Sequence, residues 1–361
     1  MAKKKDPGVG IPIKEFSEAV TFARAFAASD KASVDASASR ALHFQDGLVW
    51  ARSGSTWIVR DFTLPGITGP FAVSADALSK AVQAVESQGA ELTLALDKTA
   101  LVWRGGAAKG RIALIADDPA QMPDIPEGAT GVGDTLLAAA LARVSFTAYR
   151  GEQWPMLRGI YWGPDGRVMA SDGDRLAAVR IDESCPAERG VLVPEHLLRA
   201  MKGFAMTCVD ITEREIVFGG GASWVAGTLL QAEFPHERIA SSLDALSTKA
   251  STEDMTRVDL DSDQPIKALL QAVAASTEAP LHAVTVTVAK GKVEVQCERE
   301  DGEVRVELAA RFLGADRVCR INAQYLIAAV EQGFPLYFGD KCLYTADDER
   351  KFEHAVMFFA A

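Results

Sequence analysis

Asp172 and Asp174 flank a glycine in Ala170-Ser-Asp-Gly-Asp-Arg-Leu-Ala177, and they are the first groups in the sequence that could do chemistry. Such a pair could hold Mg²⁺ through oxygen, with Asp117-Asp118 or Asp347-Asp348-Glu349 adding ligands, as in a metal-dependent hydrolase. Carboxylates in glycine turns more commonly fold the turn itself, by accepting nearby backbone N–H groups. No third ligand stands at a spacing that completes a site. The five histidines (His43, His196, His236, His282, His354) are isolated, so the zinc pair His-x-x-x-His does not occur. Neither a Gly-x-x-x-x-Gly-Lys-Ser/Thr phosphate loop nor a Gly-x-Ser-x-Gly nucleophile elbow is present. The five cysteines (Cys185, Cys208, Cys297, Cys319, Cys342) contain no close pair, which reads as free thiols in a reducing cytoplasm. No metal, cofactor or catalytic residue is expected; a hydrolase using Asp172 and Asp174 is the alternative.

The charge balance bounds what the chain can bind. Its 361 residues carry 38 basic and 49 acidic side chains, a net charge of −11, with 48% hydrophobic residues. A surface that is acidic overall does not grip DNA or an anionic membrane with its whole area. The charge is unevenly spread, net 0 over residues 1–126, −4 over 127–251 and −7 over 252–361. The Met-Ala-Lys-Lys-Lys start lacks a following apolar core, so 1–9 reads as a disordered basic tail rather than a signal peptide. No stretch has the length of a membrane span.

The elements that must position these residues repeat at a period near 120 residues. Each third opens with an Ala- and Leu-rich stretch of helical period: Glu15–Ala27, Thr135–Ala148 and Pro265–Ser276. A second helix enters in each third at Val73-Ser-Ala-Asp, Val193-Pro-Glu-His and Ile321-Asn-Ala-Gln. Ser74 and Asn322 are good N-caps, and Pro194 suits a first turn. Alternating segments such as Leu92–Leu96, Ala100–Arg104, Arg111–Ile115, Ile216–Phe218, Val284–Ala289, Val293–Cys297, Val304–Leu308 and Ala355–Phe359 read as strands. A Pro-rich stretch, Asp117–Pro126, and the polar Leu243–Thr256 read as linkers. The expected fold class is therefore α+β: domains at 10–126, 127–251 and 252–361, each with two helices and antiparallel sheets.

In the middle third, Leu157-Arg-Gly-Ile-Tyr-Trp162 precedes the Asp172 turn and Val191-Leu-Val-Pro-Glu195 follows it; Glu233-Phe-Pro-His-Glu-Arg-Ile239 closes the third. His354-Ala-Val-Met-Phe-Phe359 forms a last strand. In this order of motifs the sequence resembles the β sliding clamp family of bacterial DNA polymerase III, phage-encoded relatives included. The resemblance implies a DNA clamp fold of three repeated domains, closing head to tail into a homodimeric ring around duplex DNA. It implies a non-catalytic processivity factor that tethers the replicative polymerase, or a divergent homologue serving as a decoy or resistance variant.

Carried over by position, the pocket for polymerase and clamp-loader peptides would use Leu157, Ser171, Gly173, Asp174, Arg175, Leu176, Pro235, Ile239, Met357 and Phe359. Asp174 stands where the family usually has His, and the chain ends Phe358-Phe-Ala-Ala361 where Pro-Met-Arg-Leu is common. The helices expected to face DNA carry Lys14, Arg24, Lys31, Lys80, Arg143, Arg150, Arg199, Lys202 and Lys267. Scattered cations of this kind attract phosphates without reading sequence. Arg104, Lys109 and Arg111 in the first third would meet Glu298, Glu300 and Glu303 of a second copy at the ring closure.

Overall fold

The computed structural model describes residues 9–27, 40–115, 122–126, 130–131, 136–201, 206–252, 254–261, 265–279, 281–289, 291–299 and 302–359. Lys31, Lys202, Glu300, the tail over 1–8, and 117–121 of the Pro-rich stretch lie outside the described residues.

One order of elements, β-α-β-β-β-β-α-β-β-β, occurs three times. The first third runs β1 (Val9–Ile11), α1 (Ile13–Ala27), β2 (Ala41–Gln45), β3 (Leu48–Ser53) and β4 (Thr56–Asp61). It continues through β5 (Phe71–Ser74), α2 (Ala75–Glu86), β6 (Leu92–Asp97), β7 (Ala100–Gly105) and β8 (Ala108–Ala113). The middle third has β9 (Thr130–Gly131), α3 (Leu136–Val144), β10 (Gly159–Trp162), β11 (Arg167–Ser171) and β12 (Arg175–Arg180). Then come β13 (Val191–Pro194), α4 (Glu195–Ala200), β14 (Cys208–Ile211), β15 (Glu215–Gly220) and β16 (Ser223–Thr228). An additional helix, α5 (His236–Ser251), precedes the last third. That third has β17 (Thr256–Leu260), α6 (Ile266–Ala275), β18 (Ala283–Ala289), β19 (Lys292–Arg299) and β20 (Gly302–Leu313). It ends with β21 (Arg317–Asn322), α7 (Ala323–Val330), β22 (Leu336–Phe338), β23 (Cys342–Ala346) and β24 (Phe352–Met357).

The chain divides into two compact units, Met1–Ala138 with Pro194–Leu229, and Ala139–Val193 with Leu230–Ala361. The first unit holds a four-stranded sheet, β1-β6-β7-β8, and an eight-stranded sheet, β5-β2-β3-β4-β16-β15-β14-β9. Its core includes Trp50, Trp57, Val59, Val217 and Ala226. The second unit holds a twelve-stranded sheet, β13-β10-β11-β12-β24-β23-β22-β17-β20-β19-β18-β21. The alternation of β18 and β19 puts Val284, Val286, Val288, Val293 and Val295 into its core with Leu270 and Val273 of α6.

Two strand pairs splice successive thirds. The fourth strand of the first third meets the last strand of the middle third, Trp57 opposite Ala226 and Val59 opposite Trp224. The fourth strand of the middle third meets the last strand of the final third, Leu176 opposite Ala355. A single backbone bond also recurs two residues beyond each third's last strand. Ile115 N–H donates to Ala72 O (2.9 Å), Leu230 N–H to Leu192 O (3.0 Å) and Phe359 N–H to Arg320 O (2.8 Å). In every case the acceptor lies two residues before the second helix's cap, Ser74, Pro194 or Asn322. Ser74 Oγ accepts the Ala77 N–H, and Asn322 Oδ1 accepts those of Gln324 and Tyr325, as expected of caps.

Three expectations are corrected. Pro194 is the residue before α4 rather than in its first turn. The strand expected over Arg111–Ile115 runs instead over Ala108–Ala113, paired to β7 with Arg104 opposite Lys109. Most of the polar stretch Leu243–Thr256 is helix: α5 runs to Ser251, burying Ile239, Leu243 and Ser247 at four-residue spacing. Its Ser and Thr content masks a helical face, because Ser242, Thr248 and Ser251 turn their hydroxyls onto carbonyls four residues back.

Candidate partner-binding cleft

The turn between β11 and β12 is built by Asp172. Its Oδ1 accepts the N–H groups of Asp174 (3.1 Å) and Arg175 (2.7 Å), and its Oδ2 accepts Arg175 Nε (2.8 Å). Ser171 Oγ donates to Arg175 O (2.7 Å) and accepts the Gly173 N–H (3.1 Å). Gly173 sits at φ 97°, with the Trp154 ring 3.0 Å from where a Cβ would be, so the turn favours glycine. The Arg175 guanidinium also donates to Phe146 O (2.9 Å) and lies 4.0 Å from the Tyr325 ring centroid. The Asp174 backbone is fixed as well, its carbonyl accepting the Met357 N–H at 2.8 Å. Burial, then the neighbouring Asp172 carboxylate, raises the Asp174 pKa above the ordinary value, with Arg175 opposing.

Helix α5 forms a second wall. It starts after Pro235, and Tyr161 stacks on both Phe234 (5.4 Å) and His236 (4.8 Å) to fix its entry. Arg350 clips its far end by donating to the hydroxyls of Ser247 and Ser251, and Arg167 approaches Asp244 at 3.5 Å. The face left to the cleft carries Arg238, Ser242, Ala245, Leu246 and Lys249. Met357 at the end of β24 is 49% exposed and, with Leu157, Leu176, Ile239 and Met255, gives a pliable apolar floor. The resulting cleft has a volume of about 940 Å³ and belongs wholly to the second unit.

Nine of the ten residues expected at this pocket line it: Leu157, Ser171, Gly173, Asp174, Arg175, Leu176, Pro235, Ile239 and Met357. Phe359 does not; it is the residue whose backbone ties β24 to β21. The α5 face, Asp254, Met255 and Gly339–Cys342 were missed, although Ile239, Leu243, Leu246 and Ala250 carry a helical spacing in the sequence.

The remaining expected residues are scattered in environment. Lys14 and Lys80 are exposed on α1 and α2, as is Arg150. Arg24 is drawn to Asp76 (2.9 Å) and Ser79 (2.9 Å), Lys267 pairs with Glu331, and Arg143 lies over the Phe352 ring (4.3 Å). These three are held by the chain itself, so less of their charge is presented to a phosphate. Arg199 lies on α4. Arg104 and Lys109 oppose each other on β7 and β8, where Arg111 also pairs with Asp97 at 2.8 Å. Glu298 opposes Glu303 across β19 and β20.

Among the described residues no group of three or more His, Cys, Asp or Glu could hold a metal, and no helix is long and apolar enough to cross a membrane. All five cysteines are free thiols; burial pushes the Cys185 thiol up to about 11 and that of Cys319 to about 12.

No protein-family model and no curated protein matches the sequence. Solved structures do match in fold. The sliding clamp (DNA polymerase III subunit β) of Bartonella birtlesii superposes with a TM-score of 0.79 at 18% identity, covering 98% of this chain and 100% of that one. The β subunit of Thermotoga maritima gives 0.78 at 20% identity over 98% and 99%. That of Borrelia burgdorferi gives 0.80 at 13% over 97% and 98%. This chain has the α+β DNA clamp fold of the bacterial DNA polymerase III β subunits.

Proposed function

We propose that the protein is a DNA sliding clamp, a non-catalytic ring of two copies that encloses duplex DNA and tethers a replicative polymerase. The observation that carries this reading is the splicing rule of the strands. In each of two places the fourth strand of one third pairs with the last strand of the next. The rule leaves one of each unused. Residues 302–308 of β20 pair with β19 on one side only, and β8 pairs with β7 on one side only, among the described residues. An edge with unpaired N–H and C=O groups is a template for another strand. Pairing β20 of one copy with β8 of another extends the rule, and a head-to-tail contact repeated in this way can close into a ring.

The same rule supports three domains with boundaries near 126 and 251, each contributing strands to its neighbour's sheet. The chemistry of the edges fits a second copy. Two carboxylates directly opposite each other, Glu298 and Glu303, are unfavourable within one chain. Lys109 on β8 would offset them. Lys14 and Lys80 are exposed on α1 and α2, whereas Arg24 and Lys267 are paired within the chain; so sparse a set of unpaired cations suits a tether that holds DNA by enclosure and slides. The 940 Å³ cleft is the docking site we assign to polymerase and loader peptides. Asp172 spends its carboxylate on the turn and Arg175, which leaves the hydrolase alternative without a ligand pair.

The test is topological. Loaded onto nicked circular DNA, the protein should stay bound in high salt and be lost when the circle is linearised. Equal retention on circles and linear DNA sinks the enclosure reading. With matched polymerase and loader, primer extension on a long template should become processive.

A further inference from the structure

We infer that the cleft holds a second apolar anchor site beside the end of α5, and so selects an extended partner segment with two large apolar side chains four residues apart; this rests on the peptide-docking reading above. The cleft runs across the ends of five neighbouring strands. Asp174, just before β12, accepts the N–H of Met357 at the end of β24 (2.8 Å). Met357 stands opposite Cys342, the first residue of β23, and the N–H of Gly339, just past β22, donates to Cys342 O (2.9 Å). Phe338 of β22 is opposite Thr256, the first residue of β17, and Met255 precedes Thr256. Four strand spacings of about 4.8 Å make a trench roughly 19 Å long, the span of about six residues of extended chain. Helix α5 runs the same way. Tyr161 of β10 stacks on its first residue, His236, and it ends at Ser251, four positions before Met255.

Each end of the trench has its own apolar lining. Leu157, Leu176, Met357 and Ile239, from the first turn of α5, line the β12–β24 end. Met255, Gly339, Cys342 and Leu246, from the second half of α5, line the β22–β17 end. Met255 and Cys342 are buried, and burial holds the Cys342 thiol above its ordinary pKa, so it packs as a small neutral group. Gly339 keeps the space beside Met255 open, since a Cβ there would stand 3.1 Å from Met255 Cε. Lys249, Asp254, Asp340 and Lys341 line the same end, two of each sign, so the end favours neither charge and the selection is for apolar surface. Roughly three strand spacings separate the two linings, about 14 Å or four extended residues. Four is an even step, so both side chains leave the segment on the same face. The cleft volume of about 940 Å³ lies near the top of the range of about 300–1,000 Å³ for small-ligand sites, which leaves room for both anchors.

The experiment uses the full-length protein and fluorescein-labelled peptides that share one Leu-Phe core in a Ser background. The single-anchor peptide has the core alone; the others add one Leu four or five positions before or after the core Leu. Anisotropy titration should show a four-spaced peptide binding about tenfold more tightly than the single-anchor peptide, the worth of one more buried Leu. Five-spaced peptides, whose added Leu leaves on the opposite face, should gain less than threefold. In Leu246→Gln the tenfold gain should fall below threefold while the single-anchor peptide binds as to wild type, which also shows that the variant is folded. Gly339→Ala, which fills the same site from the strand side, should cut the gain as well. Four-spaced peptides that bind no better than the single-anchor peptide overturn the inference and leave the docking cleft standing. A gain that survives both substitutions also overturns it, because the added Leu would then be seated elsewhere. Failure of every peptide to bind, or binding that Ile239→Ala does not weaken, would remove the docking reading itself.

Discussion

The Asp172 carboxylate and the Arg175 guanidinium, both nearly buried, meet at 2.8 Å across the β11–β12 turn. The pair is a structural device. It closes the turn through two backbone N–H groups and aims the guanidinium at the Tyr325 ring, joining a middle-third turn to a last-third helix within one unit. Asp172→Ala would leave Arg175 buried without its counter-charge, at a cost of about 3–5 kcal/mol. Urea unfolding should show that loss. Magnesium titration of the wild type should give no heat of binding, since both Asp172 oxygens are occupied.

His354 sets the acid limit of the second unit. It is fully buried beneath the edge of the Phe146 ring (5.0 Å), and neither ring nitrogen has a hydrogen-bond partner. Burial, reinforced by Arg175, depresses its pKa from 6.5 to about 3. The sign follows from linkage. A group whose folded pKa is depressed contributes stability above its unfolded pKa, and that contribution is lost as pH falls toward the folded one. Wild type should therefore lose about 1.4 kcal/mol per pH unit relative to His354→Leu between pH 6.5 and about 3. Parallel stability curves for the two proteins over that window would remove His354 as the cause.

Much of this was legible in the residues, for identifiable reasons. The helix caps Ser74 and Asn322 are local signals, and the Asp172 turn announces itself through Gly173, so both were readable without tertiary information. Helix α5 was hidden because Ser242, Thr248 and Ser251 lower its mean hydropathy, and because its buried stripe includes Ser247. Ser247 is buried as the acceptor for Arg350, a residue a hundred positions away. The place of Phe359 was equally non-local. Its alternation fits a strand lining a pocket, yet its backbone bond to Arg320 depends on which strand lies beside β24.

Arg350 ties the integrity of the cleft to the turn between β23 and β24. Its guanidinium holds the Ser247 and Ser251 hydroxyls, and its backbone is held at φ 54°, a conformation rarely adopted by residues with a side chain. Arg350→Ala should loosen the last turns of α5 while leaving the buried Ile239 and Leu243 seated. Hydrogen exchange should speed up at 247–251 and not at 239–243. Peptide affinity should fall about three- to tenfold if Lys249 and Leu246 are mispositioned as a consequence. Uniform exchange along α5 would mean that the clip is not what orders that end.

The two unused edges, on β8 and β20, carry opposite charges. If β8 of one copy pairs with β20 of another, Lys109 and Glu303 share an interface, and reversing either charge should weaken it. Lys109→Glu adds a carboxylate to a place that already sets Glu303 opposite Glu298, and like charges there are costly. Sedimentation at low salt should show the dimer dissociating about tenfold more readily in Lys109→Glu, and similarly in Glu303→Lys. Combining the two restores opposite charges in reversed order, so the double variant should recover most of the lost affinity. A substitution that merely disturbed the β7–β8 hairpin would not be rescued by a change on β20, which separates an interface effect from a folding one. Salt should weaken the wild-type dimer and narrow the differences among the variants, because exposed pairs are screened beyond about 8–10 Å. Recovery in the double variant is the decisive outcome, since only residues that meet across the contact can compensate each other.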